Sequence, residues 1–126
     1  MTQVLIPNME LECALRLLVA CVCGALIGFE RTRRYKGAGI RTHMIVALGA
    51  ALFVIVSRYG FIDVVAQEGV QVDVARVACN VVTGVSFLGA GLINKHGDSI
   101  NGLTTAAGIW IVAALGLAIG SGQYVL

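Results

Sequence analysis

From Ser99 to Leu126 the sequence contains no charged residue and no histidine. A helix that crosses the hydrocarbon of a bilayer needs roughly 20 mostly apolar residues, and this run supplies them. Three earlier runs approach or meet the same length: about 11–29, with Glu12 and Arg16 near its start; about 39–57, with Arg41 and His43 in its first turns; and about 74–94, with Arg76 near its start. Across its 126 residues the chain is 58% hydrophobic and only 13% charged, too little charge to cover a soluble surface of this size. The expected fold class is therefore all-α, a polytopic transmembrane bundle of about four helices near 11–29, 39–57, 74–94 and 102–122 in one domain, 1–126, with Gly120-Ser121-Gly122 marking an irregular tail.

Other architectures fail on pattern. The runs are too long for strands of a buried parallel sheet and lack its frequent turn signals. They also lack the strict polar and apolar alternation of a membrane β-barrel. The net charge of +2 is small and the bases are concentrated, which argues against nucleic acid. Cys13, Cys21, Cys23 and Cys79 form no C-x-x-C pair and both histidines are remote from them. They read as small apolar packing residues rather than zinc ligands. Asp63, Glu68, Asp73 and Asp98 are scattered, so no metal cage is expected. No nucleophile–base pair, P-loop or metalloprotease motif appears, so the expectation is no enzyme, no catalytic residue, no metal and no cofactor.

Charge placement predicts orientation. The segment from Glu30 to Gly39 holds Arg31, Arg33, Arg34 and Lys36, whereas the one from Arg58 to Asp73 has Arg58 as its only base beside Asp63, Glu68 and Asp73. Basic short loops stay in the cytoplasm, so loop 30–39 is expected inside. The N-terminus, the 58–73 loop and Leu126 then lie outside, and Lys95–Asp98 inside. The first charges are Glu10 and Glu12, where a signal peptide would carry bases, so the first run is expected to be retained as a helix.

Three polar constellations are candidates for function. Glu12 and Arg16 are four apart and can pair on one face, with Glu30 near that same face about 21 Å from Arg16. The plainer reading of Glu12 and Arg16 is interfacial anchoring by side chains that snorkel to water. The basic loop continues through Gly37-Ala38-Gly39 into Arg41, Thr42 and His43. Its bases serve as a topology signal and meet anionic headgroups, while amides at a helix start beside an arginine can hold an anion or an acidic partner. Arg76, Asn80, Thr83, Phe87 and Asn94 share one helix face, with Asp73 in reach of Arg76. Polar groups in a bilayer usually face a bundle interior, so the stripe reads as helix-to-helix hydrogen bonding, or as the lining of an ion or solute path. Gly24-x-x-x-Gly28 and Gly116-x-x-x-Gly120 match the small-x-x-x-small pattern of close helix contact. Gly84, Gly89 and Gly91 thin the third helix, and Gly102 and Gly108 the fourth.

Together these stretches resemble one family. Gly24-Ala25-Leu26-Ile27-Gly28-Phe29-Glu30-Arg31, then Lys36-Gly37-Ala38-Gly39-Ile40-Arg41-Thr42-His43, then the segment from Arg76 to Gly91, then Gly102-Leu103-Thr104-Thr105-Ala106-Ala107 with Trp110, are similar in content and order to the membrane domain of the MgtC/SapB family. The resemblance implies a bacterial inner-membrane protein linked to adaptation to low magnesium, to acid or phosphate stress, and to survival inside host phagocytes. One branch is described as restraining the proton-translocating ATP synthase. It adds Thr104 and Thr105 to the candidate residues. Cys79, Asn80 and Ser86 depart from the family's usual alanine, glutamine and glycine, and Thr104 stands where some members have asparagine. Relatives tend to continue past the position of Leu126 into a further helix, and some into a soluble domain. The expectation here is a chain without that soluble domain, one flank of which is exposed to lipid or to another subunit.

On this reading the chain is a regulatory or interaction protein, with the lipid bilayer and a membrane-protein partner or a second copy as its contacts. The alternative is an ion or small-solute transporter or channel component with a path between the first and third spanning helices.

Overall fold

The computed structural model describes residues 6–125. The elements in chain order are α1 (Ile6–Arg33), α2 (Ile40–Tyr59), a single turn α3 (Ile62–Val65), α4 (Val74–Leu92), a hairpin of β1 (Asn94–His96) and β2 (Ser99–Asn101), and α5 (Leu103–Gly120). Four of these helices, α1, α2, α4 and α5, are long and apolar enough to cross a membrane. Leu126, which the charge pattern puts on the external side, falls outside the described residues.

Local chemistry sets the boundaries. The first helix runs on to Arg33, past the expected end near residue 29, because Glu30 pairs with Arg34 one turn later (3.0 Å) and Arg31 and Arg33 sit favourably at the negative end of the helix dipole. Its 28 residues reach about 42 Å, more than the hydrocarbon requires. The third spanning helix stops at Leu92 rather than 94, since Ile93 turns extended and Asn94 begins β1. The segment around Lys95–Asp98, expected as a plain loop, is a hairpin in which Lys95 opposes Ile100 and His96 opposes Ser99. Gly97 takes φ +58° in its two-residue turn, the left-handed conformation such turns require. Asp73 caps α4 by accepting from the Ala75 amide (3.1 Å).

The central pair is α2 and α5. Helix α1 packs on one side of both, and α4 packs on α5 and more lightly on α2. The buried core is rich in alanine: Ala20, Ala47 and Ala51 pack with Val112 and Ile119, and Ala38, Ala50 and Ala113 with Val85 and Ile109. Glycines bring the backbones together. A Cβ on Gly24 would stand 2.6 Å from the His43 carbonyl oxygen, and one on Gly28 2.6 Å from the Ile40 Cα. Inside lipid the tails are as apolar as leucine, so such close van der Waals contact is what holds helices together.

Candidate functional site

The polar residues gather in three places: the two ends of the α1–α2–α5 unit, and the outer face of α4.

At one end sits Arg16. It is 6% exposed, so it does not snorkel outward as an interfacial anchor. It turns inward because partners await it there. Its guanidinium bonds to Glu12, donates to the Tyr59 hydroxyl (3.3 Å) and to the Gly120 carbonyl (3.1 Å), and lies over the Tyr59 ring. Gly120 is the last residue of α5, so its carbonyl is one of the acceptors a helix end leaves unpaired. One arginine thereby ties α1 to the closing turns of α2 and α5. Nearby Arg58 donates to the Ser121 carbonyl and reinforces the join. The sequence places Arg16 and Glu12 on one face, but nothing in its spacing reveals Tyr59 as their partner.

At the opposite end, α1 passes into α2. Thr32 holds the junction: its hydroxyl donates to the Gly28 carbonyl (3.0 Å) and accepts from the Ile40 amide (2.9 Å). It satisfies one of the orphan donors at the start of α2 from eight residues upstream, where no local capping pattern would show it. His43 is fully buried, against Gly24 and Gly28 of α1 and facing Gly108 of α5. Its Nδ1 lies 2.8 Å from the Gly39 carbonyl. A neutral imidazole held this way carries its proton on Nδ1 and leaves Nε2 as an acceptor, and Nε2 has no hydrogen-bond partner among the described residues. Thr105, one turn before Gly108 on the same helix, is also buried, whereas Thr104 is exposed.

The basic loop separates into two sets. Arg31 and Arg34 both pair with Glu30 (3.3 and 3.0 Å), and the Arg31 Nε is buried without a partner. Arg33 stacks over Phe29. Arg33, Lys36 and Arg41 form no ion pair among the described residues and are exposed, free to meet anionic headgroups. The anion cradle expected at the head of α2 is narrowed. The Ile40 amide is occupied by Thr32, that of His43 bonds Gly39, and the His43 ring points into the bundle. Arg41 and Thr42 remain at the surface.

On α4 the polar stripe is exposed rather than buried, with Arg76 and Asn80 at the rim of grooves shared with α2. Arg76 is exposed and reaches Asp73 only at 3.9 Å, Asn80 is exposed, the Thr83 hydroxyl folds back on the Cys79 carbonyl (3.1 Å), and Phe87 is 82% exposed. The expectation of an inward stripe assumed that α4 would bury it. Instead the helix seats its opposite side, with Val85 and Gly89, against its neighbours. Gly89 lies 3.6 Å, Cβ to Cβ, from Ala106 of α5, while Gly84 and Gly91 have open space on their outer side. Gly102 serves a turn rather than a helix contact: at φ +91°, a side chain there would strike the Leu92 carbonyl. Among the described residues, helices α1 and α4 share no substantial interface, because α2 and α5 stand between them. No group of three or more His, Cys, Asp or Glu side chains suited to a metal occurs among the described residues.

Comparison with known proteins adds identity. The chain is 52% identical over 118 residues to YhiD of Escherichia coli (strain K12), provisionally named a magnesium transporter, covering 94% of this chain and 55% of that one. It is 42% identical over 110 residues to the protein MgtC of Salmonella typhimurium (strain LT2), covering 87% and 44%, and 44% identical over 108 residues to MgtC of Brucella abortus (strain 2308), covering 82% and 42%. The chain thus spans about half the length of the curated relatives it matches. No solved structure matches it. The model of the MgtC family matches residues 17–126, which takes in α1 from residue 17 onward and the whole of α2, α4 and α5, and the chain belongs to that family.

Proposed function

We propose that this protein acts in the bacterial inner membrane as a regulatory or interaction protein, in adaptation to magnesium limitation and related stress, with loop 30–39 in the cytoplasm and the N-terminus outside. One observation carries the reading: among the described residues the polar side chains of α4 are exposed, and the contacts among α1, α2 and α5 are built mainly from alanine and glycine. Arg16, His43, Ser57 and Thr105 are buried, whereas Arg76, Asn80 and Thr83 of α4 lie at the surface, where another protein can meet them. The basic loop supports the orientation, and the name of the YhiD relative supplies the magnesium context. No catalytic step enters this reading.

The provisional name of the YhiD relative favours a second reading, an ion or small-solute transporter. Purified protein in vesicles loaded with magnesium, potassium or pH indicators separates the two. The regulator predicts flux no greater than in protein-free vesicles, together with specific cross-linking to another membrane complex in cells. Flux that depends on Arg76 would refute it.

A further inference from the structure

We propose that the outer face of α4 is a self-association surface, on which a second copy of this chain packs its own α4 about a two-fold axis along the membrane normal, Asn80 against Asn80.

The argument starts from what lipid can cover. The outer face of α1 presents Leu11, Leu15, Leu18, Val22 and Leu26, an apolar surface that acyl chains satisfy. The outer face of α4 presents Asn80, Gly84, Phe87 and Gly91 instead. Helix α4 has 19 residues, about 28 Å, so Thr83 sits at its middle and Asn80 about 4.5 Å from it. The Asn80 amide makes no hydrogen bond among the described residues. An unpaired amide at that depth is costly in hydrocarbon, where nothing can bond to it. A partner that carries donors and acceptors therefore covers this face better than an acyl chain does.

Spacing and chemistry then select a second copy. Asn80, Gly84, Phe87 and Gly91 follow one another at intervals of four, three and four, the seam of a left-handed helix pair. The seam alternates a projecting side chain with a glycine. Phe87, 82% exposed, is the knob, and Gly84 and Gly91, whose outer sides meet nothing within 4 Å, flank the matching hole. Two copies inserted in the same orientation set each Phe87 between the partner's two glycines. The same two-fold brings the two Asn80 amides together, and an amide, being donor and acceptor at once, is its own complement. A groove of about 590 Å³ between α2 and α4 is lined by Gly49, Phe53, Asn80, Gly84 and Leu88, so the seam runs along its rim and the approaching helix has room there.

The test is photo-cross-linking in native membranes, with p-benzoylphenylalanine in place of Phe87 and two differently tagged copies of the chain co-expressed. The expected product is a dimer-sized adduct that carries both tags, and the same probe in place of Leu18 on α1 gives none. Asn80→Leu is expected to cut the yield about three- to tenfold, the worth of an interhelical hydrogen bond in a membrane. Gly84→Ile is expected to abolish it, and Gly84→Ala, whose Cβ touches nothing within 4 Å in the chain, is expected to lower it with the fold intact. Absence of a doubly tagged adduct, an adduct of another mass alone, an equal yield from the Leu18 probe, or a yield unchanged by Asn80→Leu would each overturn the proposal.

Discussion

Replacing Gly116 by alanine adds one methyl group where α5 crosses α2. That Cβ would overlap the Ala47 carbonyl oxygen and stand 2.8 Å from the Ala50 Cβ and 3.1 Å from the Ala47 carbonyl carbon. Carbon atoms rest about 3.5–4.0 Å apart, so α5 has to retreat by about 1 Å. One turn on, Gly120 leans on the backbone of Ala51, where a Cβ would come within 2.8 Å of the Ala51 Cα, so the retreat loosens a second close contact. Overpacking of this kind costs about 1–3 kcal/mol. Alanine regains about 0.5–1 kcal/mol over glycine in a helix interior, which leaves a net loss centred on about 1 kcal/mol. Gly49→Ala on α2 is the control: its Cβ meets nothing within 4 Å, so it collects only the helical gain of about 0.5–1 kcal/mol. The assay is unfolding of the purified protein in mixed micelles by increasing SDS, followed by the fluorescence of Trp110, the chain's single tryptophan. The two variants are expected to move the midpoint in opposite directions. Equal shifts, or a Gly116→Ala midpoint at or above that of the parent, would refute the claim that backbone proximity at Gly116 sets the α2–α5 contact.

Arg16→Ala removes the bonds to Tyr59 and Gly120 and is expected to lower stability by about 1.5–3 kcal/mol in the same unfolding assay; Arg16→Lys recovers only part, because an ammonium cannot reproduce the planar fork. Thr32→Val removes the cap of α2 and is expected to cost about 1 kcal/mol, whereas Thr32→Ser keeps the hydroxyl and stays close to the parent. For orientation, an impermeant maleimide added to intact cells is expected to label Asp63→Cys and not Arg33→Cys; labelling at 33 would reverse the topology.

Four spanning helices were legible because hydrophobic length is a one-dimensional property, and the run from Ser99 onward needs no knowledge of neighbours. The glycines at 24 and 28 were legible for a similar reason, since four-residue spacing places both on one face whatever lies opposite. The hairpin at 94–101 left a local trace in Gly97-Asp98, a two-residue turn signal that the surrounding apolar runs overshadowed. Thr32 and Tyr59 were not legible. Each acts on a residue eight or more positions away, in a direction fixed only once α1 has packed against α2 and α5. Arg16 shows how the same side chain supports opposite expectations: snorkelling and burial differ by whether acceptors wait inside, and those acceptors belong to the ends of two other helices.

The outward turn of the α4 stripe follows from the packing of the other three spanning helices. With alanine and glycine along the contacts, α1, α2 and α5 approach until their backbones nearly touch, and the interior they enclose is too thin for an additional row of polar side chains. Helix α4 arrives at a unit that is already closed and has one apolar side, around Val85 and Gly89, with which to lean on it. The ring of Phe87 then turns out, and the amide of Asn80 lies at the rim of the groove between α2 and α4. Polarity on α4 is therefore a property of the protein's surface, and a substitution such as Asn80→Leu should act on association while leaving the fold of the single chain undisturbed.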